Sequence, residues 1–303
     1  MIPFAYFKPE QRDRYLPYLQ KAGERGCEYS FANLCMWGRQ AGAVVGDTVV
    51  FFSQFNRKSV YLYPTGVGDM KAALDALMTD AGHRGIPFRL TCLRKEDCEA
   101  LEQMYPGCFR FHNARSDYDY IYHIEDLATL KGKKYQSKRN FVNRFHKLHP
   151  DCRIVPICEE NREAVEQMLT AWYAAREVDD PEGDFHMEKV AISRGLKYME
   201  QLGMEGIALV ESGKVLAMTL GSLLTADTFD IHFEKALDNA DGAYNAVNQA
   251  FAAYLQGKYP NLRYLNREDD MGLEGLRQAK LSYHPALMAE KYWACQKEYG
   301  YDY

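Results

Sequence analysis

Residues 266–270 read Asn-Arg-Glu-Asp-Asp and carry four consecutive charged side chains. They follow a predicted strand at residues 262–265, and ligands of open α/β sheets bind where strands end. Glycines at positions 272 and 275 favour a loop over a buried element. The segment is therefore either an exposed turn or a carboxylate site for a cationic group, in which nearby cations keep the carboxylates ionised. Its candidate residues are Asp269 and Asp270, as catalytic carboxylates, and Arg267, Glu268, Arg277 and Lys280, as substrate-binding residues.

Glu234 and His232 lie two residues apart in a second chemically promising segment, a predicted strand at Thr228–Ala236. Alternate residues of a strand point to the same face, so the two side chains are expected to lie side by side. A carboxylate or an imidazole can accept a proton from an attacking amine, directly or through a water molecule. Either residue is a candidate general base, and a purely structural role is the alternative for both.

A basic segment at residues 131–149 contains seven lysines or arginines and no acidic residue. Its apolar residues recur at helical spacing, which predicts an amphipathic helix. On that helix Lys138 lies beside the apolar face and either extends along it or reaches into a pocket between two halves of the molecule. Arg139 and Asn143 point outward, where a phosphate or an RNA backbone would be a natural partner. An ordinary solvated face is the alternative.

These residues need a scaffold, and the chain is long enough for two domains, with an apolar fraction of 47% that is typical of globular proteins. The order hairpin, strand, helix, strand, short helix, strand is predicted twice. A predicted strand at residues 118–123 completes the first half, and one at residues 287–294 completes the second. We therefore predict an α/β protein of two tandem halves, each a mixed sheet flanked by helices. The first spans residues 1–149 and includes the basic linking helix, and the second spans residues 150–303 and carries the expected active site. One continuous mixed sheet is the alternative.

Composition narrows the function classes. The apolar runs are only a few residues long, whereas a membrane-spanning helix needs about 20, so we expect no transmembrane segment, and the N-terminus does not resemble a signal peptide. The net charge of −5 does not indicate a nucleic-acid-binding protein as a whole. None of the eight cysteines forms a Cys-x-x-Cys pair. We expect reduced thiols in a cytoplasmic protein, with no metal site and no permanently bound cofactor.

Four stretches of the sequence carry a resemblance to a known family. They are Tyr-Ser-Phe-Ala-Asn-Leu at 29–34, Asp-Leu-Ala-Thr-Leu-Lys-Gly-Lys-Lys-Tyr at 126–135, Lys-Arg-Asn-Phe-Val-Asn-Arg-Phe at 138–145, and Asn-Arg-Glu-Asp-Asp-Met-Gly-Leu-Glu-Gly-Leu-Arg at 266–277. With the duplicated element order, they make the chain similar to the C-terminal domain of the phosphatidylglycerol lysyltransferases, which is related to the Fem-type aminoacyltransferases. The resemblance implies a tandem fold of the GNAT acyltransferase type.

The resemblance also implies an activity, the transfer of an activated acyl or aminoacyl group to an amine or hydroxyl. The donor would be aminoacyl-tRNA or acyl-coenzyme A, and the acceptor a small or lipid-like molecule. Glu234 would lie on the strand that faces the acyl carrier, and Tyr283 would be the acid that protonates the leaving group. Asn245, in the helix that follows, is a further candidate for substrate binding. The cationic group held by the acidic loop would belong to the aminoacyl donor.

Gly66 and Gly68 are the candidate cofactor-binding residues of the first half. In GNAT enzymes that use coenzyme A, a glycine-rich loop at a helix N-terminus offers free N–H groups to pyrophosphate. The alternative is a simple helix start capped by Asp69. The weak match of both halves to that loop supports a second class of function, a non-catalytic ligand- or RNA-binding module on an acyltransferase fold that has lost activity. The sequence does not specify the oligomeric state.

Overall fold

The computed structural model describes residues 1–21, 26–55, 58–176 and 184–297, which form two mixed seven-stranded sheets flanked by helices. The first sheet has the order β1-β2-β3-β4-β5-β14-β6. Its strands are β1 (Ala5–Tyr6), β2 (Gln40–Val45), β3 (Thr48–Phe55), β4 (Lys58–Gly66), β5 (Arg89–Leu93), β6 (Phe109–Asn113) and β14 (Tyr292–Gln296).

The second sheet has the order β13-β7-β12-β11-β10-β9-β8. Its strands are β7 (Asp119–His123), β8 (Arg153–Pro156), β9 (Met204–Glu211), β10 (Lys214–Leu223), β11 (Thr228–Ala236), β12 (Tyr264–Asn266) and β13 (Leu287–Ala289). The α/β class and the two mixed sheets are confirmed, and the alternative of one continuous sheet is wrong.

Helices cover the faces of both sheets. They are α1 (Arg12–Lys21), α2 (Phe31–Trp37), α3 (Met70–Arg84), α4 (Lys95–Met104), α5 (Ile124–Thr129), α6 (Gln136–Leu148), α7 (Glu159–Ala174), α8 (Asp184–Lys197), α9 (Ala243–Lys258) and α10 (Glu274–Leu281). In each sheet the strands are mainly antiparallel, with one parallel pair whose members are connected by a helix. These units are β4-α3-β5 and β11-α9-β12, and they form the core of the predicted repeat.

The two halves exchange strands, which the sequence did not predict. We expected residues 118–123 to complete the first half, but β7 lies in the second sheet between β12 and β13. We also expected one strand at residues 287–294, but the chain forms β13 in the second sheet and then β14 between β5 and β6 in the first. Both inserted strands bury their centres, since Tyr120 and Ala294 are fully buried. The division at residue 149 remains a prediction for the chain, but sheet membership crosses it.

The basic helix α6 packs on α9 through Val142 and Phe145, both buried. Gly242, at the start of α9, makes this close approach possible, because a Cβ there would lie 2.4 Å from the Phe141 carbonyl oxygen. Phe141 and Leu148 are exposed, so only part of the predicted apolar face is buried. Among the described residues, no helix is both long and apolar enough to span a membrane.

Candidate functional site

The candidate site lies where the parallel pair β11 and β12 separates. The two strands are paired from Thr228 and Tyr264 to Asp230 and Asn266. Beyond this point β12 ends, whereas β11 continues to Ala236 with β10 as its partner. The separation opens a gap between the second part of β11 and the loop at residues 267–273. Polar side chains from both sides meet across it.

Glu234 and Arg267 join the two sides of the gap. The Arg267 Nη2 group donates to Glu234 Oε1 at 2.9 Å, and Asn248 of α9 donates to Glu234 Oε2 at 3.0 Å. The Arg267 guanidinium lies 4.9 Å from the centre of the Tyr283 ring, and the Asn245 amide donates to the Tyr283 hydroxyl at 2.5 Å. We call Glu234, Asn245, Asn248, Arg267 and Tyr283 the Arg267 group.

Lys138 extends from the basic helix to the Arg267 group, as predicted for a side chain beside the apolar face. Its ammonium donates to the Ser282 hydroxyl at 2.6 Å and lies 4.2 Å from the centre of the Tyr283 ring. Burial lowers the pKa of Lys138, and the neighbouring Arg267 lowers it further. A residue of the first half therefore contributes to a site built on the second sheet.

The charges of the Arg267 group are set by its environment. Burial opposes ionisation of Arg267, but the Glu234 carboxylate and the Tyr122 and Tyr283 side chains together outweigh it and raise the arginine pKa. The Arg267 Nη1 atom is buried and has no hydrogen-bond partner in the described part of the chain. Burial also raises the pKa of Tyr283 to about 12, although Arg267 opposes this shift. The phenol is therefore protonated at neutral pH and can donate a proton.

Asp270, a predicted catalytic residue, is hydrogen-bonded to neighbouring side chains and does not join the Arg267 group. The Arg277 guanidinium donates to its two oxygens at 2.8 and 3.0 Å, and the Tyr120 hydroxyl donates at 2.6 Å. The hydrogen bonds from Arg277 hold the pKa of the Asp270 carboxyl well below its usual range. With its side chain fully buried and these hydrogen bonds made, Asp270 anchors the loop.

Lys280 likewise anchors the loop. Its buried ammonium donates to the carbonyls of Arg267, Glu268 and Asp269. Glu268 has a left-handed backbone with φ of 58°, which is unusual outside glycine. Arg277 and Lys280, which we predicted to bind substrate, therefore hold the loop in shape. Asp269 is half-buried, and burial raises the pKa of its carboxyl to about 7.

A second cluster is centred on His232, which lies on β11 two residues before Glu234. Its Nε2 atom is 2.8 Å from the Ser222 hydroxyl of β10. Its Nδ1 atom is 3.2 Å from Glu268 Oε1 and 3.4 Å from Asp230 Oδ2. We call Asp230, His232 and Glu268 the His232 cluster. His232 is therefore a buried member of a polar cluster with its own acidic partners, whereas Glu234 of the same strand joins the Arg267 group.

A third cluster adjoins it, centred on Lys291. The lysine ammonium lies 2.6 Å from Asp119 Oδ1 and 2.7 Å from Glu28 Oε1, and Cys27 donates its backbone N–H to Asp119 Oδ2 at 2.8 Å. Asn266, at the end of β12, also donates to Asp119 at 2.9 Å. We call Cys27, Glu28, Asp119 and Lys291 the Lys291 cluster. Burial raises the pKa of Cys27 well above its usual range, so this thiol is no ready nucleophile.

The sequence reasoning missed several residues of these clusters, namely Glu28, Asp119, Ser222, Asp230, Asn248 and Lys291. One signal was available, since the strand reads Asp-Ile-His-Phe-Glu from residue 230 and so places three ionisable side chains at alternate positions. The sequence contains no such pattern for the Lys291 cluster, because its members come from distant parts of the chain.

Other predicted residues lie outside the site. Arg139 donates to the backbone carbonyls of Leu130 and Gly132, and Asn143 is exposed on α6. Gly66 and Gly68 form a turn in which the N–H groups of residues 67 and 68 donate to the Asp47 carbonyl, both at 3.1 Å. A pyrophosphate would have to displace that carbonyl to use the same N–H groups.

The helix that follows this turn starts as the alternative interpretation proposed. The Asp69 side chain accepts a hydrogen bond from the Ala72 N–H at 3.1 Å and so caps α3. The glycines therefore have a structural explanation that needs no cofactor.

With the fold and site described, the chain can be compared with known proteins. Residues 20–295 match the family of the phosphatidylglycerol lysyltransferase C-terminal domain. The chain belongs to this family. Family membership confirms the resemblance inferred from the sequence and supports an acyl- or aminoacyl-transferase fold.

Solved structures include relatives of this lysyltransferase-family chain. A conserved protein of unknown function from Bacteroides thetaiotaomicron VPI-5482 is 38% identical, covers 98% of this chain and 100% of its own, and superposes with a TM-score of 0.92. L-PGS from Bacillus licheniformis is 16% identical, with coverage of 95% and 92% and a TM-score of 0.69. At that identity the likeness concerns the fold alone.

Two further proteins are similar to this chain. The C-terminal domain of a lysylphosphatidylglycerol synthetase homologue from Agrobacterium fabrum is 13% identical, with coverage of 95% and 92% and a TM-score of 0.69. An uncharacterised protein of Mycoplasmoides gallisepticum is 25% identical over 179 residues, which is 58% of this chain and 56% of that protein. The match thus spans about half the length of this curated relative.

Proposed function

We propose that this protein transfers an activated aminoacyl or acyl group to an amine or hydroxyl acceptor, and that the reaction takes place at the Arg267 group. The observation that carries the proposal is the meeting of three complementary side chains where β11 and β12 separate. Glu234 supplies a carboxylate, Tyr283 a protonated phenol, and Arg267 a buried guanidinium whose Nη1 atom lacks a hydrogen-bond partner in the described part of the chain.

The roles follow from the chemistry of acyl transfer. The acceptor amine or hydroxyl attacks the acyl carbon while Glu234, directly or through a water molecule, takes its proton. The tetrahedral intermediate carries a negative oxygen, and the unpaired Nη1 of Arg267 is the donor suited to stabilise it. When the bond to the leaving group breaks, Tyr283 protonates the departing atom, and Asn245 holds the phenol in place.

The donor is an aminoacyl-tRNA or an acyl-coenzyme A thioester, and family membership favours the aminoacyl group. Of the acidic loop residues, Asp270 is already bonded to Arg277, which leaves Asp269 as the carboxylate for an ammonium group of the donor. Lys138 is placed to contact the leaving group beside Tyr283. We retain a cytoplasmic location and a small or lipid-like acceptor as parts of this proposal.

The test is turnover by the purified full chain with a panel of aminoacyl-tRNAs and acyl-coenzyme A donors. The variants Glu234→Gln and Tyr283→Phe should lower kcat by about 100-fold or more, because each removes a group that transfers a proton. Glu125→Gln, at an exposed position of α5, is the matched control and should keep full activity.

Melting temperatures separate catalysis from stability in this experiment. A variant that loses turnover but keeps the melting temperature of the wild-type protein supports the proposal. If no donor reacts at high enzyme concentration, or if Glu234→Gln retains full activity, the proposal is wrong, and the non-catalytic binding module becomes the better explanation.

Docking of tRNA on the basic helix is a second candidate function, favoured by one observation. Lys131, Lys133 and Lys147 are exposed and, within the described ranges, have no acidic partner, whereas Lys134 and Arg144 pair with Asp126 and Asp241. Three phosphate contacts predict a slope of about −2 to −3 for log K against log salt concentration. Binding that is absent or insensitive to salt would exclude this role, and replacing the three lysines with alanine should flatten the slope.

A further inference from the structure

Asp230 is a charged residue in an unusual environment. Its side chain is fully buried, and neither carboxylate oxygen has a hydrogen-bond partner in the described part of the chain. Buried carboxylates in native proteins are normally satisfied by hydrogen bonds, by cationic side chains or by metal ions. Among the residues that the structure describes, the one basic group in contact is the His232 ring, whose Nδ1 atom lies 3.4 Å from Asp230 Oδ2.

The surroundings increase the need for a positive charge. Burial is the largest cause that raises the pKa of Asp230. The nearby carboxylates of Glu268 and Asp119 raise it further, and Glu28 adds to the effect. Lys291 opposes them, but its ammonium already contacts Asp119 and Glu28. The Lys291 cluster therefore has a cation of its own that contacts both of its carboxylates, whereas within the described residues no lysine or arginine pairs with either carboxylate of the His232 cluster.

His232 is oriented as a metal-binding histidine would be. If its Nε2 atom carries the proton and donates to the Ser222 hydroxyl at 2.8 Å, the lone pair on Nδ1 points to the two carboxylates. Histidine ligands commonly donate their other N–H to a neighbouring acceptor, which fixes the ring and its tautomer. Ser222 lies 3.4 Å from the Ser30 hydroxyl, and the Asn33 amide donates to Glu268 Oε1 at 2.9 Å.

The distances between the three side chains distinguish two kinds of cation. Ligands about 2.1 Å from a tetrahedral zinc ion lie about 3.4 Å from one another. The Nδ1 atom of His232 is 3.2 Å from Glu268 Oε1 and 3.4 Å from Asp230 Oδ2. Acceptors arranged around an ammonium at about 2.8 Å would instead be about 4.6 Å apart. These two distances fit the smaller sphere, and one possible ligand atom from each of the three residues lies within 4.8 Å of the others.

We propose that Asp230, His232 and Glu268 form a binding site for one divalent transition-metal ion. One imidazole and two carboxylates suit zinc, manganese or ferrous iron better than magnesium, which prefers oxygen ligands alone. The Glu268 side chain is 22% exposed, so an ion can enter from its side. The proposed metal site is distinct from the Arg267 group. It departs from our expectation, based on the sequence, that the protein has no metal site.

The test uses the full chain, stripped with a chelator, dialysed and then titrated with Zn²⁺, Mn²⁺ and Co²⁺, with Mg²⁺ for comparison. Wild-type protein should take up about one Zn²⁺ per chain and melt at a higher temperature when loaded. Bound Co²⁺ should show the visible absorption of a site with nitrogen and oxygen ligands. These measurements need no turnover, so they are independent of the proposed transferase activity.

Single substitutions locate the ion. Asp230→Asn and Glu268→Gln should each weaken Zn²⁺ binding at least about tenfold, because each removes a ligand. Glu28→Gln, in the neighbouring Lys291 cluster, is the matched control and should change the affinity by less than about threefold. Circular dichroism verifies that each variant is folded.

The opposite outcomes would overturn the metal site. One is a wild-type chain that takes up no Zn²⁺, Mn²⁺ or Co²⁺. Another is an Asp230→Asn variant that binds Zn²⁺ as tightly as wild type, or binding that is lost in Glu28→Gln instead. A rise in melting temperature with a primary alkylamine but with none of the metals would assign the His232 cluster to an ammonium group.

Discussion

Two acidic clusters lie side by side at the junction of the sheets, and they differ in how their charge is neutralised. In the Lys291 cluster a buried lysine bridges Asp119 and Glu28 with contacts of 2.6 and 2.7 Å. In the His232 cluster Asp230 is equally buried but lacks a hydrogen bond from any described residue. The difference indicates that the first cluster is a completed structural contact between the halves, whereas the second has a place for a ligand.

The largest expected effect is that of Lys291→Met. Removing the ammonium leaves Asp119 and Glu28 buried without their cation, and breaking a buried ion pair in this way costs about 3–5 kcal/mol. Denaturant unfolding of purified protein measures the loss of unfolding free energy. Lys297→Met, at an exposed position just after β14, is the matched control, and a Lys291→Met variant as stable as that control would show that the cluster is not a structural contact.

A smaller effect is expected for the coupling between Lys291 and Asp119. In a double-mutant cycle with Lys291→Met and Asp119→Asn, the second substitution should cost less once the first is present, with a coupling free energy of about 1–3 kcal/mol. Unfolding free energies of the four proteins give this value. Additive effects would mean that the 2.6 Å contact contributes little.

The smallest expected effect, and one of opposite sign, is that of Asp230→Asn in chelator-treated protein. Because the carboxylate lacks a hydrogen bond, its replacement by a neutral amide should leave the unfolding free energy unchanged or raise it by up to about 2 kcal/mol. Thermal and denaturant unfolding verify the sign. A loss of more than about 2 kcal/mol would place Asp230 with Asp119 as a structural residue and remove the contrast between the clusters.

The sequence predicted more of the second half than of the junction. Glu234 and Arg267 were identified because a residue's place on a strand or at its end follows from local patterns, and Tyr283 was identified through the family resemblance. The roles of Asp270 and Lys280 were not predicted, because a run of charged residues in the sequence does not show which of them pair with which partners. Asp119 and Lys291 were missed because they meet only through the strand exchange.

The strand exchange has a consequence for biosynthesis. The first sheet has no strand between β5 and β6 until β14 has been made, so it stays open while nearly the entire chain is translated. An open gap between two strands exposes unpaired N–H and C=O groups, which invite pairing with other chains. The first half is thus expected to depend on chaperones until Tyr292–Gln296 leaves the ribosome, although its own residues come first.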